Sequence, residues 1–390
     1  MLASLLIPQA LSLVFAATPV AGVDGPVHAL ATDAGGVYAA GSFARASGAP
    51  AANIARWDGS AWHPLGAGTD GPVYALFIDG GDVYAGGSFA NAGGVAAVNV
   101  ARWDGSAWSA VGGGVTGPAA VVKCFSRDAG GLLIGGVFAQ VGASTTANGL
   151  ARWTGFEWNL LGGNVPGIEH DIRAIAPLGG TIYVGGVLRF PGSTRPSEAT
   201  LARATPFVLS DHAGSANANG ECSGCASVDA LAATASDLYA GGAFTTLGQV
   251  TVVGSPYGVV RLAGGVTPLG LGEGAMTPSV AQGGVVLALL AENGALFAAG
   301  TFVTMRGAPA AFIARWDGGA WSGLGAGVSG TVRCLVARDG WIYAGGDFVT
   351  AGGNEVNHIA CWDGSAWSPL TTVATPVRRS SWGSLKNRFR

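Results

Sequence analysis

Apolar residues in this chain come in short alternating runs that stop at glycine and start again. Each cycle carries a Gly followed two residues later by Phe or Leu: Gly41/Phe43, Gly87/Phe89, Gly136/Phe138, Gly186/Leu188, Gly242/Phe244, Gly300/Phe302 and Gly346/Phe348. Successive copies are 46, 49, 50, 56, 58 and 46 residues apart. Sixteen residues before the Phe column every copy has Val or Ile (Val27, Val73, Val122, Ile172, Val228, Val286, Val332). Fourteen before it every copy is small (Ala29, Ala75, Cys124, Ala174, Ala230, Ala288, Cys334), and thirteen before it stands a large apolar residue such as Leu30, Leu76 or Phe125. Two-residue spacing is the period of a strand. The Val and the small residue are therefore expected on one face of an inner strand.

The rest of each copy predicts three further strands. The second is of the type Val-Tyr-Ala-Gly-Gly, with Tyr38, Tyr84, Leu133, Tyr183, Tyr239, Phe297 and Tyr343 in its aromatic column. The third ends in Ala-Arg-Trp at Arg56-Trp57, Arg102-Trp103, Arg152-Trp153 and Arg315-Trp316, with Cys361-Trp362 in the last copy. The fourth opens with a second Trp at 62, 108, 158, 321 or 367. Asp-Gly and Gly-Gly pairs between the runs favour tight hairpins. A period near fifty residues with four strands is the size of one propeller blade, so the repeat predicts an all-β, seven-bladed β-propeller with four antiparallel strands per blade over residues 25–370. Gly41, Gly87, Gly136, Gly186, Gly242, Gly300 and Gly346, with Trp57, Trp103, Trp153, Trp316 and Trp362, are its structural repeat residues. Each blade is expected from contiguous sequence, the ring closing by packing blade seven on blade one; the alternative is that residues near 18–24 add to blade seven.

Gly-Gly after the second strand, an aromatic-Asp pair after the third and a Trp opening the fourth resemble kelch-type repeats across about residues 25–370. The chain is also similar to the Gly-Gly-x-Phe…Ala-Arg-Trp-Asp-Gly…Trp arrays of secreted bacterial propellers. The resemblance implies a propeller of the galactose oxidase/kelch type. Copies four and five depart from it, because Arg203-Ala204 and Arg261-Leu262 lack the first Trp and the Asp-Gly turn. Those blades are expected to be the most irregular. Copper chemistry of the galactose oxidase kind needs a Tyr/His/Cys constellation that is not recognisable here, so no catalytic residue and no cofactor is carried over.

Composition narrows the function classes. The chain has 67 Gly in 390 residues, 11% charged residues and a net charge of −3. Both signs are scattered, so there is no basic field for nucleic acid. Residues 1–17 are apolar and read as a signal peptide cleaved near Ala16, although the first basic residue is Arg45. A disordered or truncated start is the alternative. No later run is long enough to span a bilayer. Residues 371–390 carry Arg378, Arg379, Lys386, Arg388 and Arg390 without an acidic residue and read as a disordered basic tail. The expected protein is monomeric, bacterial, and secreted or held at the cell surface.

Length variation falls after the third strand, around blades four to six. The second-to-third loops and the blade-to-blade connections leave the same face of a propeller. Loops on a rigid scaffold carry specificity, so this face is the expected binding surface for a protein or carbohydrate partner. Neutral insertion is the alternative, because longer surface loops cost little. Glu169, His170 and Asp171, with Asp211 and His212, are the ionisable candidates for ligand binding there, but adjacent residues of an extended segment point apart. A non-enzymatic binding propeller is the first expectation. A hydrolase or lyase using the same face, or a structural cell-surface array, is the alternative. Cys124 and Cys334 fall in the small-residue column and Cys361 in the Arg column, so all three are expected as free thiols. Cys222 and Cys225 are expected as a local disulfide in an exported protein; a redox motif or a zinc site has less support from their surroundings.

Overall fold

A computed structural model describes residues 22–143, 145–161, 171–188, 199–204, 209–216, 227–243, 246–247, 250–251, 257–262, 267–269, 284–305 and 307–371. Every regular element in these residues is a strand. Seven four-stranded antiparallel sheets account for the four runs of each repeat. Sheet one is representative: Val27–Asp33, Gly36–Gly41, Ile54–Trp57 and Trp62–Pro64 pair in that order. The inner strands of the others are Val73–Asp79, Val121–Asp128, Asp171–Leu178, Ser227–Ala233, Val286–Glu292 and Val332–Arg338. Each inner strand packs beside the next, and the seventh packs beside the first. Thr32 Oγ1 donates to the carbonyl of Ala337 across that last junction, and Val27 and Leu30 share a core with Ile359, Cys361 and Leu370.

The sheets exchange no strand. Residues just before the first strand nonetheless reach sheet seven: the Val23 amide donates to the carbonyl of Asn357 at 3.1 Å. The bond repeats the one by which Thr69 and Val115 hold the preceding sheets in the interior of the ring, through the carbonyls of Ala52 and Val98.

The repeated Gly has a steric cause. A Cβ on Gly41, Gly87, Gly136 or Gly346 would lie 2.0 or 2.1 Å from the carbonyl oxygen of Pro26, Pro72, Val121 or Thr331. Those atoms are backbone and cannot swing aside. The Gly before it, as at Gly86, Gly135 and Gly345, leaves room for the Val or Ile of the next sheet: a Cβ there would meet Val122, Ile172 or Val27 at 2.5 or 2.6 Å. The Trp pairs brace the outer strands. Trp57/Trp62, Trp103/Trp108, Trp153/Trp158, Trp316/Trp321 and Trp362/Trp367 have ring centroids 5.0–5.7 Å apart. The second Trp also ties sheet to sheet, Trp108 Nε1 donating to Leu65 O at 2.7 Å and Trp367 Nε1 to Leu324 O at 2.8 Å. Trp62, at the junction of first and last sheets, is buried without such an acceptor.

Two sequence expectations change, and a third takes a specific form. First, the Val and the small residue do not share a face. All seven inner strands carry a β-bulge between them, for example at Val27/Ala29, Val122/Cys124 and Val332/Cys334. Val122 consequently packs on Gly86 of the preceding sheet, and Cys124 faces Ile172 of the following one. Second, the segment between second and third strands is not a plain loop. It holds a two-residue-stranded hairpin, such as Arg45–Ala46 with Ala49–Pro50, turned at Ser47 (φ 44) and Gly48 (φ 80). Third, the irregularity expected of blade four takes the form of longer outer strands, Ala199–Ala204 and Leu209–Ala216, with a register shift between them.

Candidate functional site: the axial mouth

An inner strand begins, a second strand ends and a third begins at the same end of each sheet, where the small hairpins also lie. The bulge sits at this end. It leaves one residue per sheet outside the ladder, because the bulged residue has no cross-strand partner. Those residues are His28, Tyr74, Lys123, Arg173, Asp229, Leu287 and Arg333. The side chains of neighbouring sheets meet there. They form a ring at one mouth of the axis, flanked by Val and small-residue columns that are packed into the inter-sheet cores.

Two polar groups make up most of the ring. In the first, Lys123 Nζ donates to Asp171 Oδ1 at 2.7 Å, and Arg173 Nε to Asp171 Oδ2 at 2.9 Å. Arg173 continues to Asp229 Oδ1 at 2.6 Å, and Ser227 Oγ closes the chain on Asp229 Oδ2 at 2.5 Å. Three sheets are thereby joined by alternating charges. Burial alone would raise the pKa of Asp171, but the Lys123 ammonium and the Arg173 guanidinium outweigh it and hold the carboxyl below its usual range. Burial opposes the charge of Arg173 too, and Asp229 and Asp171 more than restore it.

The second group lies on sheets seven, one and two. Arg333 donates to Asp347 through Nε at 2.8 Å and through a terminal nitrogen at 2.7 Å, a bidentate pair. His28 Nε2 bonds the Ser42 hydroxyl at 2.9 Å, and its ring lies 5.0 Å from that of Tyr74. Burial first, then the Arg333 charge, lowers the His28 pKa to about 4, with Asp347 acting the other way. His28 is thus a neutral imidazole near pH 7. The Tyr74 ring is 37% exposed. Leu287 of sheet six stands between the two groups in ring order.

Of the candidates named from sequence, Asp171 lies in this ring. Glu169 and His170 fall outside the described residues, as do Cys222, Cys225, residues 1–17 and nearly all of 371–390. Asp211 and His212 lie on the fourth strand of sheet four; their side chains are outside the description. Sequence reasoning saw little polar clustering at the axis, and the ring corrects that. The overlooked signal is a column of mixed chemistry, one residue after the Val column, set between that column and the uniform small and large apolar columns that follow it. The Arg column, by contrast, is structural in its geometry: Arg102, Arg152 and Arg261 each pair with an Asp near the first hairpin of their own sheet, Asp82, Asp128 and Asp237. Among the described residues Cys124, Cys334 and Cys361 are free. Burial pushes the thiols of Cys124 and Cys334 up, and that of Cys361 to about 12, so none is a thiolate near neutrality.

No protein-family model matches the sequence, and no curated protein matches it. Solved structures do. The chain is similar to an ancestral GH74 enzyme, at TM-score 0.53 and 12% identity over 92% of this chain and 48% of that one. It is similar to the extracellular domain of a hybrid two-component system protein of B. thetaiotaomicron, at 0.52 and 12% over 88% and 39%. It is also similar to the WD40 β-propeller domain of Doa1, at 0.51 and 11% over 84% and 92%. The chain spans less than half the length of the first two. Identities this low speak for fold and not for activity, and the fold, on these likenesses and the sheets described above, is a β-propeller.

Proposed function

We propose that the chain is a seven-bladed propeller of the kelch/galactose oxidase type that is exported and binds a protein or glycan partner at the axial mouth, without catalysing a reaction. One observation carries the reading. In the columns that flank the bulge the seven sheets repeat the same chemistry, Val or Ile before it and a small then a large apolar residue after it, and at the bulge they present side chains of mixed chemistry around the axis. A ligand site must break the symmetry of its scaffold, and this position does so. The aromatic face of Tyr74 beside neutral His28 and fixed Arg333 offers stacking and directed hydrogen bonds, a pairing common at recognition sites. The strand ends joined by the long stretches of repeats four to six open on this same face.

Asp171 is held on two sides by cations, which makes it a poor general base and a poor metal ligand; this favours binding over hydrolysis. The apolar 1–17 stretch and the likeness to an extracellular domain support export. The test is a screen of the purified full chain against immobilised oligosaccharides and a peptide library, repeated with Tyr74→Ala and Arg333→Ala. Ligands that bind the parent and are lost from both variants support the reading. A ligand retained by both, or turnover of a hydrolysable substrate lost with Asp171→Asn, overturns it.

A further inference from the structure

A half-open cavity lies at the other end of the sheets, between sheets six and seven, with a volume of about 460 Å³. This is within the usual size of small-molecule sites. It is built from the first hairpin of sheet six and the outer strands of both sheets. Phe297 of sheet six and Ile342 and Trp362 of sheet seven give it an apolar wall, all three buried. Glu292 and Arg315, both from sheet six, also line it.

The two charged residues occupy positions that form an ion pair elsewhere in the ring. Arg315 stands in the Arg column, where Arg102, Arg152 and Arg261 are each bound to a carboxylate. Glu292 ends its inner strand as Asp128 does, and Asp128 is the partner of Arg152. In sheet six, among the described residues, neither Glu292 nor Arg315 makes an ion pair or a side-chain hydrogen bond, although both border the same space. The opposite wall brings no charge: sheet seven has Cys361 in place of the Arg, and Gly340 at its hairpin. One cation, exposed at Arg315, one half-buried anion at Glu292 and an aromatic wall therefore border the cavity, with neither charge paired among the described residues.

We infer that this cavity is a binding site for a free apolar or aromatic α-amino acid. Its carboxylate meets the Arg315 guanidinium, its ammonium meets the Glu292 carboxylate, and its side chain lies against Phe297 and Trp362. A zwitterion satisfies both protein charges at once and brings in no net charge. An anion alone leaves Glu292 unmatched beside it, and a cation alone leaves Arg315 unmatched. This site is separate from the axial mouth and does not depend on the function proposed for it.

The experiment is calorimetric titration of the full-length protein with L-phenylalanine, its N-acetyl derivative and its amide. The expected result is saturable binding of phenylalanine, weakened about tenfold or more on capping either end, as for loss of one charged hydrogen-bonding group. Arg315→Ala is expected to abolish binding. Glu292→Gln is expected to weaken phenylalanine and leave the affinity of the N-acetyl derivative, which has no ammonium, unchanged. Arg102→Ala, the same change in sheet two, is the control and keeps full affinity. No saturation by phenylalanine up to its solubility, capped ligands that bind as tightly as phenylalanine, or full affinity in Arg315→Ala overturns the inference. The melting curve of each variant, recorded alongside, separates loss of the site from loss of the fold.

Discussion

Two adjacent columns of the inner strand obey opposite rules. The Val column is buried in every sheet, with Val27, Val73, Val122, Ile172, Val228 and Val332 at 0% exposure. One residue later the bulge column holds imidazole, phenol, ammonium, guanidinium, carboxylate and isobutyl groups. The first column is fixed by a requirement every sheet repeats: the side chain must fill the gap above a Gly or Ala of the preceding sheet. The second faces no sheet at all. A position freed from the ladder by a bulge is freed from the repeat as well, so it is where a symmetric scaffold acquires chemistry of its own.

The largest effect is expected where the repeat is most constrained. Gly87→Ala places a methyl 2.1 Å from the carbonyl oxygen of Pro72. Neither strand can retreat without opening the sheet, so the loss is expected to exceed about 4 kcal/mol or to prevent folding. Gly80→Ala is the counterpart in the same sheet. Its methyl meets nothing within 4 Å, and the only cost is a φ of +60°, about 1 kcal/mol. Urea midpoints compare the two. A Gly87 variant as stable as the Gly80 variant would show that the close strand approach is not what selects glycine.

The same contrast explains how much could be read from the sequence. Sheet number, strand order and the Trp and Gly columns follow from offsets that hold across Val27 to Leu370, because packing demands recur at each copy. The bulge did not show, since a residue skipped by the ladder leaves the spacing of its neighbours unchanged. Val122 and Cys124 look like two residues of one face and are not. The small hairpins were hidden for a related reason: two-residue strands such as Asn91–Ala92 carry no alternation to detect, although the Gly pair at Gly93 and Gly94 between them marks a turn. The ring itself was overlooked because its bulge residues are contributed one per sheet, far apart in sequence, and only Asp171 was named. Its partner Lys123 lies 48 residues away along the chain, and Asp229, joined to it through Arg173, lies 58 away.

Within the ring, the two polar groups differ in exposure, and substitutions sharpen that difference. Asp171→Asn removes the charge that faces both Lys123 and Arg173. At 22% side-chain exposure, and with cations one-third exposed, a loss of about 2 kcal/mol is expected. Asp347→Asn loses a pair exposed by 34–40%, and water replaces it at a cost below about 1 kcal/mol. Equal losses in denaturant titrations would mean that burial does not separate the two groups.

The groups also differ in their response to acid. The unfolded chain protonates His28 below its ordinary value of 6.5, whereas the folded protein does so only near 4. Between these values the unfolded state holds more protons, so stability falls as pH falls. His28→Gln is expected to flatten the stability curve in that window. The pairing of Asp171 acts lower: its contribution is complete above the ordinary carboxylate value and is lost as pH drops through the depressed one. Asp171→Asn is therefore expected to change the slope below about pH 4 and leave the His28 window intact. A His28→Gln protein with an unchanged profile from pH 6.5 to 4 would remove His28 from the account.

The smallest expected change in stability belongs to the residue on which the proposed recognition leans most. Tyr74 is exposed at the mouth, packs on one face of His28, and donates to no other group described here. Tyr74→Ala should alter stability by no more than about 0.5 kcal/mol, as surface substitutions do. Binding at the mouth should fall by at least about tenfold, the loss of one stacking surface of roughly 1.5 kcal/mol. The neighbouring Val73 is its opposite: it is fully buried, and Val73→Ala should lower the melting temperature while leaving affinity at a folded temperature near that of the parent. Melting curves and titrations on the two variants therefore form a crossed pair. If Tyr74→Ala unfolds the protein or Val73→Ala abolishes binding in a folded sample, then the bulge column is part of the scaffold and the mouth is a seal rather than a site.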